Sequence, residues 1–236
     1  MFERWRRLQS RIIRSDEITR IEIISYGLMA LMIVVGFFIA ANNEDAFRNV
    51  YVREDGVLEY FTALTLFAVA VLCLVRLVRD RHAHGRAFVL TNSLIILLMV
   101  FGAGEEISWG QRIFGVETGE FFLENNRQNE TNLHNLTVRG VNINKLIFGK
   151  VLVLFLVLFY LVLPPLYKRV ARVQGLFDRF YIPVPKWHHG VAMLVAGLTI
   201  TFVASSKKGE LNEVCLSVFF LLTVLSPQNK WRAGAP

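Results

Sequence analysis

Apolar and polar residues alternate in long blocks along this chain. The first four apolar blocks reach or approach the roughly 20 residues that a helix needs to cross the hydrocarbon core of a bilayer. The last two are shorter and fit either a tight hairpin of two spans or a re-entrant pair, and we favour two spans. The pattern predicts an all-α, polytopic transmembrane helical bundle of about six spans. The six blocks are residues 24–41, 57–75, 87–104, 146–163, 191–204 and 214–225.

Residues 105–144 form the one long polar stretch between the apolar blocks. A connection of this length is rarely idle. It carries apolar residues at nearly helical spacing and a second apolar patch, namely Ile107, Trp109, Ile113, Phe114 and residues 121–123. We expect a short interfacial helix that continues the third span, followed by a loop that folds back on the membrane as an interfacial or re-entrant outer segment. A surface flap that covers the bundle fits the same pattern.

Composition and charge place residues 1–236 in a single membrane domain. A hydrophobic fraction of 54% is above that of most soluble domains. One side of the predicted membrane holds seventeen Lys and Arg against six Asp and Glu, and the other holds nine against thirteen. Positive loops stay in the cytoplasm, so both termini are expected there. The basic segment 1–22 is then expected to contact anionic lipid rather than nucleic acid.

Acidic residues cluster on the predicted outer side. Glu105 and Glu106 end the third apolar block, where a charge is expensive, and Glu59 lies one turn inside the second block. The only histidine on that side is His134. Carboxylates with one imidazole suit a divalent metal, and they also suit general acid–base chemistry. We predict a site with Glu59, Glu105, Glu106 and His134 as catalytic residues, in which Glu105, Glu106 and His134 hold the metal.

Two further acidic pairs lie on the same predicted side, and these pairs, Glu105, Glu106 and His134 also have structural interpretations. The acidic pairs Glu54–Asp55 and Glu210–Glu213 open predicted helices, where carboxylates stabilise the helix dipole. Glu105 or Glu106 could form a salt bridge with Arg112. His134 could be an ordinary hydrogen-bonding loop residue, and the neighbouring asparagines fit turn chemistry.

A second set of histidines lies on the predicted cytoplasmic side. It consists of His82, His84, His188 and His189. Their basic neighbours, such as Arg81 and Lys186, disfavour a metal cation and would suit a lipid phosphate.

The chain has no P-loop, no dinucleotide fingerprint and no signature of a zinc protease or a serine hydrolase.

Three sequence strings resemble a family of multi-pass bacterial membrane proteins. They are R-E-D-G-x-x-E-Y, G-E-E-I-S-W-G-Q-R-I-F-G and N-L-H-N-L, within residues 53–136. The resemblance implies a bacterial inner-membrane location. It implies no particular reaction, so the chemistry has to be argued from the residues.

Two hypotheses for the function follow. The first is a lipid-directed hydrolase or transferase with its site at the outer membrane face, where a carboxylate acts as a general base or a divalent metal activates water. The second is a non-catalytic subunit or assembly factor of a membrane complex that docks partners through residues 105–144. An ion or proton pathway ranks last, because it needs acids deep in several helices and only Glu59 approaches that position.

Overall fold

The structure is a computed structural model that describes residues 16–133, 135–138, 141–142 and 151–229. These residues are helical except for loops and one two-residue antiparallel ladder, in which Thr137 pairs with Asn142 and Val138 with Val141. The helices are α1 Arg20–Asn42, α2 Glu44–Ala46, α3 Val57–Asp80, α4 Arg86–Glu106, α5 Gln111–Phe114, α6 Glu120–Asn125, α7 Leu152–Leu156, α8 Leu163–Arg169, α9 Ala171–Arg179, α10 Trp187–Thr201 and α11 Gly209–Leu225. The fold is therefore all-α, as the apolar pattern predicts.

In the described part of the chain, four helices are long and apolar enough to cross a membrane. They are α1, α3, α4 and the continuous helix Leu152–Arg169. They correspond to the first four predicted spans. The last two apolar blocks also form helices, but α10 has 15 residues and α11 has 17, so they are shorter than the other four. The chain is thus a candidate multi-pass membrane protein with at least four spans in the part that is described.

Helix α11 lies at the centre of the bundle. Nine of its 17 residues are buried, and it packs against α1, α3 and α10. Its Phe219 and Leu222 join Ile33 of α1 and Ile200 of α10 in the largest hydrophobic cluster. The long helices instead expose many apolar side chains, such as Phe38, which is 67% exposed. Outward-facing apolar side chains are what a lipid environment requires.

The fourth span ends later than the sequence predicts. Pro164 and Pro165 suggest an end at Leu163, but the helix continues through both prolines to Arg169, so the predicted boundary is wrong. The prolines occupy the first turn of α8, directly after a π-helical stretch, Val157–Val162. Proline is tolerated in the first turn of a helix, because the backbone N–H that it lacks would have no partner within the helix there. The π-helical turn before the prolines changes the hydrogen-bond pattern from which α8 starts. Residues 146–150 of this predicted span lie outside the described residues.

The chain turns sharply after α4 and does not continue as a straight interfacial helix. Ser108, Trp109 and Gly110 all have positive φ angles, 47°, 55° and 74°. This backbone conformation is strained for Ser and Trp. A Cβ at Gly104 would lie 2.8 Å from the Trp109 ring, so Gly104 gives the indole room to fold back on α4. The turn redirects residues 111–133 across the end of the bundle.

Candidate functional site

A small polar cavity lies where α3, α4 and α11 meet the segment that follows α4. Its volume is about 40 Å³, which is room for a few waters or one small ion. Among the described residues, eight carboxylates and three amides line it. They are Glu54, Asp55, Glu59, Glu105, Glu106, Glu130, Glu210, Glu213, Gln128, Asn132 and Asn135.

Three helix ends bring the acids together. Glu59 is in the first turn of α3, Glu106 is the last residue of α4, and Glu210 and Glu213 lie near the start of α11. Carboxylates at the starts of α3 and α11 are favoured by the helix dipoles, whereas a carboxylate at the C-terminal end of α4 is not. The dipole argument therefore accounts for several of these acids and leaves Glu106 to be explained otherwise.

Within the described part of the chain, Arg112 and Lys207 form ion pairs with Asp55, Glu130 and Glu54. Arg112 forms ion pairs with Asp55 and Glu130, so it does not make the salt bridge to Glu105 or Glu106 that the sequence suggested. Lys207 donates to Glu54 at 2.8 Å. This ammonium holds the pKa of the Glu54 carboxyl below its usual range.

The adjacent residues Glu105 and Glu106 have different surroundings. Glu105 is buried, and its two carboxylate oxygens accept hydrogen bonds from the Trp109 indole N–H at 2.8 Å and from the Leu133 backbone N–H at 2.6 Å. It therefore ties the end of α4 to the following segment. Glu106 lies one helix position further round and lines the cavity beside Glu59, Glu210 and Glu213, with which it interacts electrostatically.

Glu59 does not face lipid. It lines the cavity, and its carboxylate accepts a hydrogen bond from the Asp55 backbone N–H at 2.5 Å. Asp55 has a positive φ of 53°. This hydrogen bond therefore helps to hold the tight turn that leads into α3, and Glu59 combines a position in the cavity with a structural contact.

A buried hydrogen-bond network supports the wall opposite α3 and α11. Ser108 donates to Glu130, and the Asn132 amide donates to Ser108 at 2.9 Å and to Glu130 at 3.0 Å. Asn126 donates to Asn132 in turn, at 2.9 Å. Buried polar groups that satisfy one another in this way fix a loop in one conformation. Ser108 is thus a buried network residue.

Sequence reasoning found part of this site. Glu59, Glu105 and Glu106 all line the cavity, whereas His134, the fourth predicted residue, lies outside the described residues. Glu130 and Asn132 also line the cavity, although the sequence did not single them out as site residues. In the sequence, Glu130 is an isolated acid in a stretch rich in asparagine and glutamine. Its partner Arg112 lies 18 positions away along the chain, so local sequence does not show the pair.

The oxygens stand apart around the cavity. Among the described residues, the acids of this site bring no three ligand atoms within 4.8 Å of one another. The arrangement is more open than a closed metal cage. It suits a hydrated divalent ion, which keeps several waters between itself and carboxylates, or a carboxylate that takes a proton from water.

Comparison with known proteins gives no relative. No protein-family model, curated protein or solved structure matches this chain. The membership of a bacterial membrane-protein family that the sequence strings suggest stays a prediction.

Proposed function

We propose that this chain is an integral membrane enzyme, a lipid-directed hydrolase or transferase, with its site in the acidic cavity at the outer face of a bacterial inner membrane. The observation that carries the proposal is the convergence of carboxylates from three helix ends around one small cavity. Such crowding of charge beside a membrane is costly. Binding a cation or transferring a proton would explain why so many carboxylates lie together.

Glu106 is the central residue of the proposed mechanism. Its neighbour Glu105 already accepts two hydrogen bonds from N–H donors, and the dipole of α4 gives Glu106 no stabilisation. Glu106 acts as the general base for water, or binds a divalent cation that activates water. Glu59 lies across the cavity on α3 and shares either task.

The proposed topology has six spans with both termini in the cytoplasm. Helices α10 and α11 are the fifth and sixth spans, although they measure only roughly 22 and 26 Å at the usual rise per residue. Helix α11 is largely enclosed by other helices, so its length need not match the full hydrocarbon thickness. The predicted side that is rich in Lys and Arg supports this orientation, because positive loops stay in the cytoplasm. The acidic cavity then lies on the outer side.

The segment beside the cavity gives a lipid a route of approach. Helices α5 and α6 and the loop between them expose a set of large apolar side chains, namely Ile113, Phe114, Val116, Phe121 and Leu123. Apolar side chains on short helices next to a membrane enter the interface. A lipid headgroup would reach the carboxylates from this side, while its acyl chains stay in the bilayer.

Lipid turnover in nanodiscs tests the proposal. The full chain is reconstituted with phosphatidylethanolamine, phosphatidylglycerol and cardiolipin, with Mg²⁺, with Mn²⁺ or with chelator, and the products are followed by mass spectrometry. We expect conversion of at least one lipid by the wild type and its loss in Glu106→Gln. The matched control is Glu124→Gln, which changes an exposed acid of α6 outside the cavity. A wild type that leaves every lipid intact under all three conditions would contradict the proposal, as would a fully active Glu106→Gln.

A second candidate function is a non-catalytic subunit or assembly factor of a membrane complex. The exposed apolar side chains of α5 and α6 favour it, because the same surface could bind another membrane protein. Native-gel mass in mild detergent separates the two functions. A larger complex that is lost in Phe114→Ser and kept in Glu106→Gln would support the subunit function, and a wild type that runs as the chain alone would contradict it.

A further inference from the structure

A second cluster of ligand-type residues lies at the other end of the bundle, away from the acidic cavity. It consists of Glu22 on α1 and His188 and His189 on α10, with exposed fractions of 0%, 5% and 0%. One ligand atom from each residue lies within 4.8 Å of the others. We propose that these three residues form a buried site for a divalent transition metal of the Zn²⁺ class. This inference goes beyond the proposed function and does not depend on it.

The fold positions the three side chains firmly. Glu22 belongs to a capping box at the start of α1, in which the Thr19 backbone N–H donates to the Glu22 carboxylate at 2.6 Å. His188 and His189 occupy the first turn of α10, and their rings meet edge-on with 4.8 Å between centroids. Ligands held by two helix starts are ordered before any ion arrives, which is what a metal site needs.

Each imidazole has one nitrogen bound to an oxygen and one nitrogen left over. The His188 Nδ1 shares a hydrogen bond with the Tyr26 hydroxyl at 2.8 Å, and the His189 Nε2 shares one with Glu22 at 2.8 Å. The other nitrogens, His188 Nε2 and His189 Nδ1, are buried and have no hydrogen-bond partner among the described residues. For His188 this is the usual state of a metal-binding histidine, with one nitrogen held by an oxygen and the other free. His189 would bind the ion through Nε2, the nitrogen that now contacts Glu22.

The distances suit an ion better than a direct contact. His188 Nε2 lies 4.0 Å from the nearer Glu22 oxygen, which is too far for a hydrogen bond. Ligand atoms about 2.0–2.1 Å from a tetrahedral ion lie roughly 3.4 Å from each other, so a small adjustment of these side chains would bring both atoms onto one ion. Two imidazoles and one carboxylate are a ligand set of zinc and of other borderline transition metals, whereas Mg²⁺ and Ca²⁺ prefer oxygen ligands.

Lys186 is the competing group. Its ammonium is buried and lies 2.9 Å from Glu22 Oε1, where it balances the carboxylate. It also donates to the Glu17 carbonyl oxygen at 2.9 Å. A bound ion takes its place at Glu22, and the lysine keeps the contact with Glu17. Because two cations at one carboxylate repel each other, Lys186 should weaken metal binding rather than support it.

The local sequence pointed the other way, since the histidines have basic neighbours and no nearby acid. The acid is supplied by Glu22, which lies 167 positions from His189. The fold therefore places a carboxylate beside two histidines that have only basic neighbours in the sequence.

Metal titration of the purified full chain tests the site. The protein is stripped with a chelator and titrated with Zn²⁺ and with Co²⁺, and metal content, visible absorption and Tm are recorded. We expect one ion per chain, a higher Tm with Zn²⁺ and a Co²⁺ spectrum with nitrogen ligands. His188→Gln and His189→Gln should bind roughly 100-fold more weakly or worse. Lys186→Gln, which removes the competing charge, should bind more tightly than the wild type.

His82→Gln is the matched control, because His82 is an exposed loop histidine and should leave binding unchanged. If the histidine variants fail to fold, X-ray absorption of the wild-type Zn²⁺ or Co²⁺ complex counts the imidazole ligands, and two are expected. A wild type that binds neither ion would overturn the site. So would binding that survives in His188→Gln but is lost in Glu106→Gln, since this result would place the ion in the acidic cavity and favour the proposed function alone.

Discussion

Glu105 and Glu106 illustrate how adjacent residues can take separate roles. In the sequence they form one acidic pair at the end of an apolar block. In the structure Glu105 binds Trp109 and Leu133, and Glu106 lines the cavity. Successive residues of a helix point about 100° apart, so one of them can hold the loop while the other faces the site.

The ion pair of Glu54 with Lys207 makes stability depend on pH. A lowered carboxyl pKa stabilises the fold fully above the pKa of the unfolded chain, about 4.3, and this contribution is lost as the pH falls through the lower folded pKa. Lys207→Gln should therefore lower Tm slightly at pH 7, since partly exposed pairs contribute about 0–1 kcal/mol. The difference from the wild type should shrink below about pH 4.

Lys208→Gln is the control for this measurement. Lys208 donates to the backbone carbonyl oxygens of Thr201 and Val203, and neither partner titrates. Its effect on Tm should stay the same between pH 7 and pH 3. A Lys207→Gln difference that is just as constant would show that Glu54 is not the partner that matters.

At the scale of the helices, Gly190 sets how closely α10 approaches the fourth span. A Cβ at this position would lie 2.2 Å from the Tyr160 carbonyl oxygen, a distance that no stable contact allows. Gly190→Ala must push α10 away and should cost roughly 1–3 kcal/mol of unfolding free energy. The denaturation midpoint in mixed micelles measures it.

Gly197 on the same helix provides the matched comparison. A Cβ there would meet nothing within 4 Å, so Gly197→Ala should stabilise the helix by roughly 0.5–1 kcal/mol. Opposite signs for the two substitutions are expected. A Gly190→Ala protein as stable as the wild type would mean that the two helices are not packed this closely.

The helices were largely predictable and their ends were not. The apolar blocks at residues 57–75 and 87–104 correspond to α3 Val57–Asp80 and α4 Arg86–Glu106. Helix α3 continues past its apolar block through Arg76 and Arg79, whose long side chains can stay in a helix while their charged ends extend to a polar surface. An apolar block shows which residues avoid water, but the end of a helix is set by its backbone hydrogen bonds. The predicted boundaries therefore fall short of the real helix ends.

The two candidate sites were predictable to different degrees. Glu59 and Glu106 were found because a charge beside an apolar block is visible in one dimension. The pairing of Glu22 with His189, or of Arg112 with Glu130, depends on which helices become neighbours. That information lies in side-chain packing across the bundle, which periodicity does not contain.

For the whole molecule, the orientation in the membrane can be tested by thiol labelling. Cysteines at Glu124 and at His82 replace two exposed residues, and the native Cys73 and Cys215 are buried. A membrane-impermeant reagent added to intact cells should label Glu124→Cys. It should reach His82→Cys only after the membrane is opened. The reverse labelling pattern would invert the proposed topology and place the acidic cavity in the cytoplasm.

The central position of α11 has a consequence for how the protein is made. The ribosome synthesises this helix after all four long apolar helices, two of which, α1 and α3, pack against it in the finished bundle. Those four are apolar enough to leave the translocon on their own, while α11 is short and begins with Glu210 and Glu213. We therefore expect the early helices to be inserted first and to lack this packing partner until α11 is made. A pause in translation before residue 209 would then leave the other helices without the nine buried residues that α11 supplies.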